Sequence, residues 1–128
     1  MNSIEGLKLV NRIHKRLLDT EKIDGKLIKD LKELRNYAIE DKDPVLVKLI
    51  RLTYEHLENF EGFFINIPED ELFDDSQNEE VGDIHEDVKL QIDSLIYLLS
   101  LIEDSNNKRN REDILEYRSR LTKYADEN

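Results

Sequence analysis

Apolar residues recur at intervals of three and four positions over much of the chain, the spacing that gathers them on one side of an α-helix. Four segments carry one such apolar stripe each. Each segment is predicted to be an amphipathic helix that turns its stripe towards a shared core. The predicted stripes contain Ile4, Leu7, Val10, Ile13, Leu17 and Leu18; Leu27, Ile28, Leu31, Leu34 and Ala38; Leu46, Leu49, Ile50, Thr53, Leu57 and Phe60; and Ile114, Tyr117, Leu121 and Tyr124.

A fifth segment, residues 83–104, is apolar around nearly its whole circumference. One side carries Val88, Ile92, Leu95, Leu99 and Ile102, and Leu90, Tyr97, Leu98 and Leu101 continue the apolar surface to the other side. The polar arc is narrow and holds Lys89, Asp93, Ser100, Glu103 and Asp104. Such a helix is typical of a buried position. We therefore predict an all-α, single-domain antiparallel bundle of about five helices, with a buried central helix near residues 86–104.

The second apolar side of this helix also leads to a hypothesis about oligomeric state. If the four amphipathic helices do not close around it, Leu90, Tyr97, Leu98 and Leu101 remain exposed. An exposed apolar stripe of this kind is self-complementary and favours a homodimer. These four residues are the predicted dimer seam.

Polar residues mark where helices are expected to begin. Ser3 and Asp24 precede the first and second stripes, and both residue types accept a hydrogen bond from a free N–H of the first turn. Before the last stripe, Asn110 followed three positions later by Asp113 resembles a capping box. The last helix is therefore predicted to begin near Asn110.

The clearest boundary in the chain lies before the third stripe. Asp43 is a favoured N-cap, and Pro44 fits the first helical position because its nitrogen has no hydrogen that needs a partner. Residues 42–48, KDPVLVK, resemble the opening of the second helix of a HEAT repeat, with the Val-Lys pair one position later. The resemblance covers one helical hairpin and the chain has no second copy, so it implies no more than the hairpin that the short link already predicts.

The link between the third and fifth stripes has two unlike parts. Gly62 ends the third helix, and residues 63–67, FFINI, are expected to fold back over the end of the bundle; the alternative is an exposed docking strand. Residues 69–87 then carry ten acids and no Lys or Arg. This composition predicts a solvated, partly disordered acidic connection at about residues 66–85.

Charge is distributed unevenly along a chain whose net charge is −11. Residues 1–53 hold 12 basic and 9 acidic side chains, residues 54–106 hold 1 and 16, and residues 107–128 hold 6 and 5. A nucleic-acid-binding protein needs a basic surface to displace phosphate counterions, so direct nucleic-acid binding is not expected. The acidic middle favours a basic protein as the partner.

The sequence lacks the motifs that usually carry catalysis. It has no cysteine, its three histidines stand far apart, and its four glycines are isolated, so no thiol, zinc or phosphate-binding motif is present. The spacing of Asp74, Ser76, Asn78 and Glu80 is similar to a calcium loop, but Glu79 and His85 occupy the positions where that loop needs glycine and glutamate. We expect that the protein is not an enzyme and that it has no cofactor and no metal site. A divalent-metal-dependent enzyme with a scattered carboxylate site is kept as an alternative.

The leading hypothesis is a non-enzymatic acidic interaction protein, of the adaptor, inhibitor or immunity type, that binds a basic protein partner. Acidic side chains would speed encounter, and an apolar pair would supply most of the affinity. The predicted partner-binding residues are Glu69, Asp70, Glu71, Leu72, Phe73, Asp74, Asp75, Glu79 and Glu80. The alternative is a structural or oligomerising helical domain in which this connection covers the basic face of the first helix.

The start of the chain bears on localisation. Its first twelve residues scatter charge among apolar positions, unlike a signal peptide, and no apolar run is long enough to cross a bilayer. We therefore expect a cytoplasmic protein that does not associate with membranes.

Overall fold

The computed structural model of the protein describes residues 1–68 and 82–128. Within these residues it contains five α-helices: α1 (Ile4–Thr20), α2 (Gly25–Glu40), α3 (Pro44–Phe60), α4 (Val88–Glu103) and α5 (Lys108–Glu127). The predicted all-α helical bundle is confirmed. No helix in the described part of the chain combines the length and the apolar character that a membrane span requires.

Three of the predicted helix starts are confirmed by their capping bonds. The side chains of Ser3, Asp24 and Asp43 accept the backbone N–H groups of residues 6, 27 and 46 at 3.0, 3.1 and 3.3 Å. The prediction for α5 was wrong. Its N-cap is Asn107, whose side-chain oxygen accepts the N–H groups of Arg109 and Asn110, so the helix begins before Asn110.

The helices pack as a closed ring in the order α1, α2, α3, α5, α4 and back to α1. The contacts Ser94 to Tyr117 and Tyr97 to Asp113 show that α4 and α5 run in opposite directions. By contrast, Asp43 contacts Arg111 and His56 contacts Tyr124, so α3 and α5 run in the same direction. A closed ring with an odd number of helices cannot alternate throughout. The predicted antiparallel order therefore fails at the α3–α5 pair.

Helix α4 is the most enclosed helix, with eight of its 16 residues buried. Its exposed side carries Lys89, Asp93, Ser100 and Glu103, which agrees with the predicted polar arc. Val88 was placed on the inner face, but as the first residue of α4 it is exposed. Most of the remaining circumference of α4 is buried or half-buried, as the sequence predicted.

The predicted dimer seam is not an exposed stripe. Leu98 and Leu101 are each 1% exposed and belong to the core of the single chain. Leu90 and Tyr97 are half-buried, and the Tyr97 hydroxyl donates a hydrogen bond to Asp113 on α5. The condition that motivated the homodimer hypothesis is therefore not met, because the chain covers this side of α4 itself.

The predicted stripe of α1 was wrong at its ends. Ile4 is 71% exposed and Leu18 is 58% exposed, whereas Leu9, which was not assigned to the core, is buried. At about 100° per residue, Ile4 lies roughly 180° from the buried Ile13 around the helix. The apolar spacing alone did not define which of two overlapping stripes faces the core.

Candidate functional site at the base of the acidic connection

The chain between α3 and α4 runs from residue 61 to residue 87, and the structure describes both of its ends. We call residues 61–68 the outgoing stem and residues 82–87 the returning stem. Both stems lie at the end of the bundle where α3 finishes and α4 begins. They contact each other there, because the ring of Phe64 stacks on the ring of His85 with centroids 4.8 Å apart and planes 13° apart. The intervening acidic residues are therefore flanked by two touching stems.

One side chain of α4 ties the two stems together. Gln91 is buried, its Oε1 accepts the backbone N–H of Phe63 at 3.1 Å, and its Nε2 donates to the carbonyl of Ile84 at 2.9 Å. Three residues further along α4, the buried Ser94 hydroxyl donates to the carbonyl of Ile65 at 2.6 Å. These bonds satisfy buried backbone groups of an irregular segment, which would otherwise each cost about 1–3 kcal/mol.

The outgoing stem is also held from α3 by a buried histidine. His56 is 3% exposed, and its Nε2 accepts the backbone N–H of Phe64 at 3.1 Å. This bond places the proton of the neutral ring on Nδ1, which has no hydrogen-bond partner among the described residues. Burial, with a smaller contribution from His85, lowers the pKa of His56 to about 4. The ring is therefore neutral near pH 7, as an acceptor of a backbone N–H must be.

Six rings pack around this point and join the stems to α3 and α5. We call them the aromatic base: His56, Phe60, Phe63, Phe64, His85 and Tyr124. Tyr124 of α5 lies 4.8 Å from His56 and 4.9 Å from Phe60, measured between ring centroids. Aromatic pairs at these separations add about 0.5–1.5 kcal/mol beyond the area that they bury. The aromatic base therefore joins elements that are far apart in sequence.

The fold-back predicted for residues 63–67 is confirmed, and the alternative of an exposed docking strand is wrong. Phe63 and Ile65 are buried in the core. The turn into the segment needs Gly62, since a Cβ there would lie 2.6 Å from the Phe64 ring and 2.9 Å from Oε1 of Gln91. Both neighbours are held by their own contacts, so neither can easily move away.

An Asp–His–Tyr array lies on the solvent side of the aromatic base. Oδ1 of Asp83 accepts the backbone N–H of His85 at 2.9 Å and lies 3.1 Å from Nδ1 of the same ring. On the other side of the ring, Nε2 lies 3.2 Å from the Tyr124 hydroxyl. The hydrogen bond from the backbone N–H of His85 lowers the pKa of Asp83. The array fixes the plane of His85 and thereby the stacking that joins the two stems.

The nine predicted partner-binding residues lie outside the described residues; the structure describes only the stems that flank them. Sequence reasoning missed His56, Gln91 and the role of Tyr124. Two of these had a usable signal. His56 follows Leu49 by seven positions on the core side of α3, and Gln91 precedes the core residue Leu98 by seven positions in α4. A polar residue at a core position of a helix indicates a buried hydrogen bond to some other segment.

The basic face of α1 consists of Lys8, Arg12, Lys15 and Arg16. Two of these side chains already pair with acids of the chain. Arg16 forms two hydrogen bonds with Asp24, at 2.9 and 3.3 Å, that close the α1–α2 turn, and Lys8 pairs with Glu5 at 3.5 Å. Among residues 1–68 and 82–128, no group of three or more His, Cys, Asp or Glu side chains is arranged to hold a metal ion.

No protein-family model, curated protein or solved structure matches this chain.

Proposed function

We propose that the protein is a non-enzymatic interaction protein that presents residues 69–80 to a basic protein partner. In sequence, residues 69–81 carry seven acids and no Lys or Arg, together with the apolar pair Leu72 and Phe73. The observation that supports this proposal most strongly is the attachment of the flanking stems. Gln91 and the stack of Phe64 on His85 hold the two stems that flank the acidic segment against each other.

Attachment through both stems favours binding because it limits the conformational entropy that the segment loses on association. A segment whose ends are fixed has fewer conformations to give up than a free tail, and less ordering cost then opposes the contacts it makes. The charges would raise the association rate and select against acidic partners. The apolar pair would enter pockets on the partner and slow dissociation.

The returning stem extends the same charge onto described residues. Asp83 and Glu86 are exposed, and Asp87 is exposed while its side chain caps α4 through the N–H of Lys89 at 2.9 Å. Acidic charge next to a helix N-terminus is favourable. The stem can therefore carry this charge without loss of stability, and it lengthens the acidic surface offered to a partner.

The test compares two variants with equal charge. In the first, the seven acids at positions 69, 70, 71, 74, 75, 79 and 80 become Asn or Gln. In the second, the same change is made at Asp19, Glu33, Glu40, Asp93, Glu103, Glu112 and Asp126, which are exposed and form no ion pair within the described residues. Proteins captured from native lysate by the unaltered chain are identified, and the basic ones are purified for stopped-flow binding.

We expect the first variant to associate about tenfold more slowly with the purified partner and to show a flatter dependence on salt. The second variant should keep most of the rate. A double change of Leu72 and Phe73 to Ser should instead accelerate dissociation. An equal loss of association rate in both charge variants would attribute the effect to net charge alone. Unchanged binding in the first variant would contradict the proposal.

The same variants address the structural alternative. If the acidic segment only stabilises the fold, deletion of residues 70–80 should lower the free energy of unfolding and leave partner binding intact. If our proposal holds, the deletion should abolish binding and change stability little, since the stems remain tied through Gln91 and Ser94.

A further inference from the structure

A second surface, opposite in charge, lies on the outer side of α3 and α5. Two adjoining concavities of about 490 and 570 Å³ meet at Lys48. Both are shallow and open to solvent, as expected of a surface that would bind an extended segment rather than enclose a small molecule. We call the combined surface the Lys48 groove and define it by Ile39, Pro44, Val47, Lys48, Arg118 and Lys123.

The first part of the Lys48 groove is apolar and open. It lies where the end of α2 meets the start of α3, and its floor contains Ile39, Pro44 and Val47. Ile39 is 47% exposed, and Leu115, beside the second part of the groove, is 51% exposed. Few large apolar side chains in the described residues are this exposed, and each of these two lines a concavity that Lys48 also lines.

The second part of the groove is basic. Lys48 and Lys123 are exposed and form no ion pair within the described residues, and Nε of Arg118 is buried without a hydrogen-bond partner there. Over both parts, the lining holds five Lys or Arg side chains against three Asp or Glu. One of those acids, Asp43, is already paired with Arg111, and one of the bases, Arg51, with Glu55. That leaves four basic side chains against two acids, which stand at the last turn of α5. The groove is thus basic in a chain whose net charge is −11.

We propose that the Lys48 groove binds an acidic peptide segment of a partner protein, one that carries a bulky apolar side chain between its carboxylates. The apolar side chain would occupy the pocket formed by Ile39, Pro44 and Val47. The carboxylates would pair with Lys48, Lys123 and the guanidinium of Arg118. Charge complementarity together with an apolar pocket selects this chemistry.

The same features disfavour a nucleic acid. A phosphate backbone would pair with the lysines but would leave the apolar pocket empty, whereas the proposed peptide fills both parts of the groove. The proposal goes beyond the function assigned to residues 69–80, because the groove is built from α2, α3 and α5 and requires no residue of the acidic connection.

The probe is a fluorescent synthetic peptide of about eleven residues, with Asp and Glu on both sides of a central Leu-Phe pair. A matched peptide carries Ser-Ser at its centre, and an oligothymidylate of equal charge serves as the nucleic-acid probe. Fluorescence anisotropy should show saturable binding of the Leu-Phe peptide, with about tenfold weaker binding of the other two probes. No saturable binding, or tighter binding of the oligothymidylate, would overturn the proposal.

Paired variants locate the site. Lys48→Glu with Lys123→Glu should weaken binding of the Leu-Phe peptide about tenfold or more. Lys8→Glu with Lys15→Glu makes the same charge change on exposed positions of α1 and should leave the affinity within about twofold. All four lysines are exposed, so both proteins should fold, which circular dichroism and thermal melting would verify. Equal loss in both variants, or loss only with the α1 pair, would refute the assignment.

Ile39→Ser tests the contribution of the apolar pocket to binding separately from that of the charged side chains. This change should weaken binding of the Leu-Phe peptide and leave the Ser-Ser peptide unaffected, because only the former places an apolar side chain in the pocket. If both peptides lose affinity equally, the pocket is not where the apolar side chain binds.

Discussion

Helices α3 and α5 contribute to two regions with opposite properties. On one side, His56 and Tyr124 pack into the aromatic base, where the stems of the acidic connection form hydrogen bonds with Nε2 of His56 and the hydroxyl of Tyr124. On the other side, Lys48 and Lys123 line an open groove that no segment of the described chain covers. Where a covering segment exists, these two polar atoms find partners within the chain. Where none exists, the two lysines remain available to another molecule.

The largest effect should come from the covered region. Phe63→Ala removes a fully buried ring that packs against His56 and Tyr117, and we expect a loss of about 3–5 kcal/mol in the free energy of unfolding, measured with urea. Leu115→Ala, on the groove side, removes an exposed side chain and should change stability by less than about 0.5 kcal/mol. Similar losses in the free energy of unfolding of the two variants would contradict the proposed difference between the regions.

The second prediction concerns the loss of stability at low pH. His56 has a pKa of about 4 in the folded chain and near its ordinary value of 6.5 when unfolded, so the unfolded state binds the extra proton first as pH falls. Stability should be complete above about pH 6.5 and should decrease by about 3 kcal/mol as pH falls to about 4. Protonated Nε2 could no longer accept the N–H of Phe64.

His56→Gln isolates this contribution from that of the carboxylates, because the amide oxygen can still accept the N–H and does not titrate. The difference in unfolding free energy between the original chain and His56→Gln should depend on pH between 6.5 and 4 and be constant above 7. A difference that does not vary with pH would show that His56 is not the group that titrates.

The third effect should be smaller. Gln91→Leu keeps the volume of the side chain but leaves the Phe63 N–H and the Ile84 carbonyl without their partner. We expect a loss of about 2 kcal/mol, since water can reach part of the returning stem. Ser100→Ala, which removes an exposed hydrogen bond elsewhere on α4, is the matched control and should change little. If Gln91→Leu lowers the free energy of unfolding as little as Ser100→Ala does, the hydrogen bonds of Gln91 do not hold the stems in place.

Most of the architecture could be predicted from spacing and capping residues. The narrow polar arc of α4 was sufficient to identify the most enclosed helix, and Asp43 before Pro44 fixed the start of α3. The direction of α5 relative to α3 was not accessible from spacing, because it depends on how the ring closes. The same limit affected α1, where Ile4 and Leu18 continue a stripe by spacing but are exposed in the fold.

The candidate site was less accessible. The acidic segment is visible as composition, but its stems are joined by His56, Gln91 and Tyr124, which come from three different helices. Each of these contacts depends on tertiary structure that one-dimensional periodicity does not contain. The Lys48 groove was missed for the same reason, because its lysines are separated by more than 70 positions in sequence.

The smallest predicted effect tests whether α3 and α5 are also joined away from the aromatic base. Near the first turns of both helices, Arg111 pairs with Asp43 through two hydrogen bonds, and both side chains are more than two-thirds buried. Burial acts to raise the pKa of Asp43, but the Arg111 pair and the N–H of Leu46 outweigh it and lower the pKa. Any stability from this carboxylate is therefore present above its ordinary pKa and is lost as pH falls through the lowered value.

A double-mutant cycle with Arg111→Met and Asp43→Asn, which keeps a capping oxygen, should give a coupling of about 1 kcal/mol that weakens with added salt. The exposed pair Lys32 and Glu58, 2.9 Å apart, should give a coupling near zero in the same measurement. A coupling near zero for Arg111 and Asp43 would mean that the aromatic base and the core residues between the helices hold this parallel pair.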